Sequence, residues 1–306
     1  MSSSRRQFLQ ASAAVTASVA AAAAAPQAKL PTVKFGKHEI TRLVIGTNPF
    51  FGYSHFNHIL SQAMQEWMTP ERRRDTLRRA EAAGIGAWQL HYSPDTIADL
   101  RYLRGQGSKL NFFLLTEGEL KRNNDLIPEV ARNGFIGIAH HGNLTDERFR
   151  EGKMELVKEV CKRIRDTGAM VGVSMHNPRV LDYIEAAGWD VDYYMCCFYQ
   201  VSRTREEARA LMNGEAPLGE TFLEKDPERM TRMIRSTKKP VLGFKILGAG
   251  RAGGTREQIE QAFRFAYSNI KPTDAVIVGM WPKFKDEVAE NAEIVRAILQ
   301  SSGTAS

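Results

Sequence analysis

The chain is expected to fold as a single α/β domain, a closed (β/α)8 barrel, and three observations predict it. From Thr41 onward, short apolar runs alternate with amphipathic stretches of roughly ten to twenty residues, the pattern of repeated βα units on a parallel sheet. Eight such units can be counted, the number that closes such a sheet into a barrel. Histidines, carboxylates and amides come just after the apolar runs rather than inside them, where a barrel of this type builds its site.

The first segment is set aside from the fold. Ser4-Arg5-Arg6-Gln7-Phe8-Leu9, followed by an alanine-rich run over 11–25, resembles a twin-arginine export signal, and the small residues at Pro26-Gln27-Ala28 put cleavage near Ala28. The run is too short and too poor in leucine to be a stable membrane anchor. The resemblance implies a protein handed to the twin-arginine export machinery, bound for the periplasm or secreted, with 1–28 as signal peptide and 29–306 as one barrel domain. A plain disordered tail is the alternative reading.

The strands are expected over 42–46, 87–90, 111–116, 136–139, 170–174, 193–198, 240–244 and 275–278. Their near-continuous Val, Ile, Leu and Phe content suits strands buried on both faces. Helices fill the gaps, among them 70–83 behind a Thr69 cap, 145–166, and 256–267 behind Thr255. The segment from Tyr53 to Trp67, rich in His, Asn, Gln and aromatics, suits a lid or substrate-contact loop.

Composition narrows the function classes. There are 42 Lys and Arg against 35 Asp and Glu, and losing Arg5 and Arg6 would leave 40 against 35. The basic clusters Arg72-Arg73-Arg74, Arg78-Arg79 and Lys238-Lys239 fall on helical stretches and read as solvated faces; no basic stripe interleaved with aromatics suggests a nucleic-acid partner. Three cysteines, Cys161, Cys196 and Cys197, give no disulfide framework and read as small buried apolar residues.

The strand ends, taken in order, supply Asn48 with His55 and His58, then Gln89, His91 and Tyr92, Glu117, His140 and His141, His176 and Asn177, Gln200, Lys245, and finally Trp281 and Lys283. Such a ring suits proton transfer or metal binding on a small molecule. Each histidine taken singly also has a structural reading, His38 belongs to a surface hairpin, and one of His140 and His141 must face away from the barrel because strand side chains alternate. The glycines Gly248, Gly250, Gly253 and Gly254, ahead of a helix begun at Thr255, suggest either a phosphate cradle of backbone N–H groups or a flexible loop.

Several stretches carry a resemblance to the aldo/keto reductase superfamily over nearly the whole length after the signal. Lys34-Phe35-Gly36 through Arg42-Leu43-Val44-Ile45-Gly46-Thr47 resembles its opening hairpin and first strand, and Ala82-Ala83-Gly84-Ile85 the end of its first helix. Gly168-Ala169-Met170-Val171-Gly172-Val173-Ser174 is similar to its passage into a Gly-Val-Ser turn, and Pro240-Val241-Leu242-Gly243-Phe244-Lys245-Ile246-Leu247-Gly248-Ala249-Gly250 to its seventh strand and loop. Val278-Gly279-Met280 with Glu290-Asn291 resembles the segment around the cofactor's adenosine phosphate. The resemblance implies a TIM barrel and NADP, with Gly248, Gly250, Gly279, Lys283, Glu290 and Asn291 as cofactor-binding residues.

The departures bear on the chemistry. That family reduces carbonyls with an Asp, Tyr, Lys and His tetrad; here the aspartate falls on Gln89, the tyrosine on Pro94 with Tyr92 close by, and the lysine on Glu117, and only the histidine is kept, as His141 or His140. A carboxylate in place of the lysine makes a neighbouring tyrosine a weaker acid. The same changes suit a divalent ion such as zinc or manganese on His91, Glu117, His141 and His176, with Lys245 or His140 stabilising charge or acting as base. The expectation is therefore metal-assisted, non-redox chemistry (isomerisation, epimerisation or elimination) on a small hydroxy-carbonyl or sugar-type substrate. The alternatives are an NADP-linked reductase whose acid is Tyr92 or His141, and an inactive binding barrel.

Overall fold

The computed structural model describes residues 29–301; the expected signal segment and its cleavage point lie outside them. The chain opens with an antiparallel hairpin, β1 (Thr32–Phe35) and β2 (His38–Thr41), turned at Gly36 with φ of 60°. Eight parallel strands follow: β3 (Leu43–Gly46), β4 (Ala87–His91), β5 (Asn111–Thr116), β6 (Gly137–His140), β7 (Met170–Met175), β8 (Tyr193–Cys197), β9 (Val241–Phe244) and β10 (Ala275–Gly279). They pair in chain order, and β10 pairs back onto β3 to close the barrel. The expected (β/α)8 architecture is the one found, with each strand within a few residues of its expected place.

Alternation along the strands produces two apolar layers. Val44, Ala87, Phe113, Ala139, Tyr193 and Leu242 point inward and fill the barrel. Leu43, Ile45, Trp88, Phe112, Val171 and Val241 point outward against the helices. The hairpin plugs the amino-terminal end: Phe35 packs edge-on against Phe113 and Tyr193 at 5.2 Å each, and these two lie 5.7 Å apart. Tyr193 fits because Gly137 and Gly172 on the neighbouring strands leave room for its ring.

The helices are α1 (His58–Trp67), α2 (Pro70–Ala82), α3 (Pro94–Gly105), α4 (Glu119–Arg122), α5 (Ile127–Ala131), α6 (Gly142–Arg150), α7 (Met154–Arg165), α8 (Pro178–Ala186), α9 (Arg205–Leu211), α10 (Asp226–Ser236), α11 (Arg256–Asn269) and α12 (Glu287–Ser301). The caps expected at Thr69 and Thr255 form, each side chain accepting a first-turn backbone N–H. Tyr53 to Trp67 is not loop throughout: Asn57 caps α1 by accepting from the Leu60 amide at 2.8 Å. The single helix expected over 145–166 is two, because Gly152 takes φ of 68° and the Lys153 amide closes back on the Arg148 carbonyl at 2.8 Å.

Arg72-Arg73-Arg74 is not a wholly solvated face. Arg73 is buried, its guanidinium donating to the fully buried Asp99 at 2.6 Å while Arg74 holds the other carboxylate oxygen at 2.8 Å. This ties α2 to α3. All three cysteines are buried and free. No helix among the described residues is long and apolar enough to cross a membrane.

Two substitutions test the plug. Phe35→Ala should cost about 3–5 kcal/mol in urea unfolding, as for large-to-small changes in a core. Gly172→Ala, which drives a methyl into the Tyr193 ring, should cost about 1–3 kcal/mol by overpacking. Equal unfolding midpoints for wild type and both variants would show that the barrel does not rest on this cluster.

Candidate active site at the barrel mouth

The carboxyl ends of the strands gather most of the expected polar residues in three groups. In the first, His91 ends β4, Glu117 follows β5 and His141 follows β6, so parallel pairing sets them side by side. His141 Nε2 lies 3.5 Å from Glu117 Oε1. The His141 amide is anchored on Thr116 Oγ1 at 3.1 Å. The His91 ring stands edge-on to Phe51 at 4.8 Å and Tyr53 at 5.7 Å. Burial raises the Glu117 carboxyl, but the hydrogen bond from His141, with the Lys121 charge, outweighs it and holds the group ionised below its ordinary range. Burial keeps His91 neutral below its ordinary value against the pull of Glu117. The Tyr53 hydroxyl is pushed up by burial and by the Glu117 charge. Tyr53 is thus the tyrosine beside this carboxylate; Tyr92, expected there, packs half-buried against the core.

The second group is a histidine with its carboxylate. Asp146, wholly buried on α6, accepts from His176 Nδ1 at 2.9 Å and from the His176 backbone amide at 3.0 Å. Both Asp146 oxygens accept backbone amides, those of His176 and Asn177, so the side chain is the acceptor for the ring as well; Nδ1 carries the proton and Nε2 keeps its lone pair. Burial lowers the His176 pKa although Asp146 pulls the other way, and the imidazole is neutral. Edge-on contact with Phe244 at 5.6 Å fixes the ring.

The third group is centred on His55. Glu220 accepts from His55 Nδ1 at 2.8 Å, leaving Nε2 to accept from Asn48 Nδ2 and Lys245 Nζ, each at 3.1 Å. Burial raises the Glu220 carboxyl, yet the hydrogen bond from His55 and the nearby Lys245 charge bring it below its ordinary range. His55 and Lys245 both have positive φ, 53° and 58°. Such a conformation costs a non-glycine residue about 1–3 kcal/mol, so the surrounding contacts hold both in place. Arg251 clamps the region, stacking over Phe222 at 3.9 Å and donating to the His55 carbonyl at 3.1 Å.

Other expected positions fall elsewhere. His140 points outward from the barrel: it is buried, bonds Thr145 Oγ1 at 2.7 Å through Nδ1, and borders a surface hollow with Lys121, Arg122 and Arg148. Strand alternation thus sends His141 to the mouth and removes His140 from it. The four residues expected to bind metal do not form a ligand set. His176 belongs with Asp146 and Glu117 with His141, and no group of three or more His, Cys, Asp and Glu side chains among the described residues is placed to hold a metal ion.

Of the expected cofactor residues, Gly250, Gly279 and Asn291 line an apolar cleft between β3, β9 and β10. Gly248 is buried against Tyr199, Lys283 lies over the rings of Trp281 and Phe284, and Glu290 pairs with Lys285 at 2.5 Å. The phosphate cradle is closed. The amides of Gly248, Gly250, Arg251, Ala252 and Gly253 donate within the loop, and those of Gly254 and Thr255 donate to the Gln258 side chain. These residues do not fit a nucleotide phosphate on those amides.

Asp146 and Glu220 are the site residues that sequence reasoning missed. Asp146 lies one turn inside a helix with no motif around it. Glu220 lies in the glycine- and proline-bearing stretch 212–225 between α9 and α10; its length without regular structure was the available signal, since long loops in compact domains are commonly functional.

No family model and no curated protein matches the chain. Among solved structures it is similar in fold to an aldo-keto reductase from Bacillus halodurans in its holo form, at 11% identity and a TM-score of 0.55, over 87% of this chain and 90% of that one. It is also similar to the Yersinia pestis DHPS solved with a pterine-sulfa conjugate, at 9% identity and a TM-score of 0.50, over 90% and 99%. At such identities the likeness is one of fold: the chain is a (β/α)8 TIM barrel.

The buried histidines set a pH dependence. His140 is held neutral by burial, its pKa lowered to about 3, and burial lowers His91 and His176 too. Between about pH 6.5 and 3 the unfolded chain binds protons that the folded chain refuses, so stability falls as pH falls, by at most about 1.4 kcal/mol per pH unit per group. Urea unfolding of His140→Asn against wild type should give a shallower loss over this window. Parallel curves would mean that His140 protonates in the folded protein.

Proposed function

We propose that the chain is an enzyme that moves protons on a small hydroxy-carbonyl or sugar-type compound with no net redox change, by isomerisation, epimerisation or elimination. The observation that carries this reading is the ionised Glu117 at 3.5 Å from His141. Lys245, the one lysine of the third group, is within electrostatic reach of His176, and His176 of His141. The Glu117 carboxylate takes the proton next to the substrate carbonyl. Lys245 faces the oxygen on which negative charge then collects, a pairing worth most in a mouth that excludes water. His176, with Nε2 free and Nδ1 held by Asp146, exchanges the second proton with a substrate hydroxyl or leaving group.

The donor set does not fit a metal ion held by His91, Glu117, His141 and His176, so no step runs through one. The closed amides of the 248–255 loop weigh in the same way against NADP. Kinship with the aldo/keto reductases rests on the sequence stretches quoted above. Export by the twin-arginine route rests on the arginine pair, the alanine-rich run and the small residues of 4–28 and would deliver the enzyme to a compartment where free reduced nicotinamide is not supplied.

The test is exchange of the carbon-bound proton of dihydroxyacetone or glyceraldehyde in D2O, followed by NMR. Wild type should catalyse exchange, and Glu117→Gln should lower its rate about 10²–10⁴-fold, the usual contribution of a positioned base. Exchange unchanged in Glu117→Gln would end the proposal. A tightly held zinc or manganese ion released by that variant would replace it with the metal-assisted reading, and saturable NADP binding with the reductase.

A further inference from the structure

Glu220, His55 and Lys245 form a chain of three in which each member sets up the next. Glu220 accepts a hydrogen bond from His55 Nδ1 at 2.8 Å, and His55 Nε2 faces Lys245 Nζ at 3.1 Å. A nucleophile within hydrogen-bond reach of a base that a third group orients is the recurring geometry of covalent catalysis, and a lysine amine in that place makes Schiff bases with carbonyl compounds. Asn48 shares the same Nε2 lone pair at 3.1 Å and helps to hold the ring. Lys245 and His55 are also held at φ values that side chains rarely adopt, with the amine resting on the base. A lysine serving only as a fixed positive charge needs neither a base on its nitrogen nor a carboxylate behind that base.

We infer that Lys245 is a nucleophile that forms a Schiff base with the carbonyl carbon of the substrate, with His55 as its base and Glu220 positioning His55. This rests on the proton-transfer reading above and deepens it: the iminium ion takes the place of the Lys245 charge opposite the carbonyl oxygen and acidifies the adjacent C–H that Glu117 removes. In the step, the Lys245 ammonium gives one proton to His55 Nε2 and the freed nitrogen pair bonds to the carbonyl carbon. His55 returns that proton to the oxygen and relays a second one from the nitrogen. The C–O bond breaks, water leaves with both protons, and the positive charge stays on the iminium nitrogen. Hydrolysis by the reverse path frees the product and restores the lysine.

The experiment is reductive trapping of the wild-type protein with glycolaldehyde or dihydroxyacetone and sodium cyanoborohydride, followed by peptide mapping of every lysine. Lys245 should be labelled about a hundredfold faster than the helix lysines Lys158 and Lys162, the low end of what one positioned base supplies. His55→Gln should remove the advantage, and Glu220→Gln should reduce it and change its pH profile. Because the comparison is internal to one folded sample, it needs no variant to be interpreted. Lys245 labelled no faster than Lys158 and Lys162, while D2O exchange still depends on Glu117, would overturn the covalent step and leave the acid–base reading standing. Loss of both signals would overturn the two together.

Discussion

The pairing of β10 with β3 is the contact on which the rest of the molecule depends. It joins residues more than two hundred positions apart, Val276 to Leu43 through Gly279 to Gly46, and turns a sheet with two open edges into one with none. Arg42 locks the seam from below, reaching the Asp274 and Lys271 carbonyls at 3.0 and 3.2 Å, while its own carbonyl accepts from Val276 N at 2.9 Å and the Tyr267 hydroxyl at 3.0 Å. Once the seam is closed, the residues after β3 and β9 stand on neighbouring parts of one rim. His55 can then meet Lys245 although the two are 190 residues apart in the chain.

The inner layer puts a further condition on the mouth. Phe35, Phe113 and Tyr193 fill the barrel from the amino-terminal end, and the three groups of the candidate site stand at the opposite rim. There His91 and His176 stay neutral through burial, and Glu117 and Glu220 ionised through their partners. Neutral imidazoles beside ionised carboxylates can pass protons in either direction near neutral pH, which a rim of uniformly charged groups cannot do.

The barrel was legible in the sequence because parallel strands buried on both faces read as unbroken apolar runs, and eight of them leave few alternatives. The site was only partly legible. Strand-end position found Glu117, His141, His176 and Lys245, and strand alternation separated His141 from His140 once the register was known. Local pattern says nothing of Glu220, which meets His55 from a loop 165 residues away, nor of Asp99, whose buried pairing made Arg73 an internal residue. The glycines of 248–254 misled for a related reason: their spacing matches a cradle, but the partner that closes it, Gln258, is recognisable as such only when the helix start is seen.

Strain and function coincide along one arc of the rim. His55, Lys245 and Ala249 are three of the four non-glycine residues with positive φ among those described, and all three border the same cleft. A loop without a task would relax out of such conformations or place glycine there. Here the contacts of Arg251 with Phe222 and with the His55 carbonyl maintain the strain, so the cost of aligning Lys245 and His55 is met during folding rather than when substrate arrives. Preorganisation of this kind is what lets a short chain of ordinary groups act on a substrate that supplies little binding energy of its own.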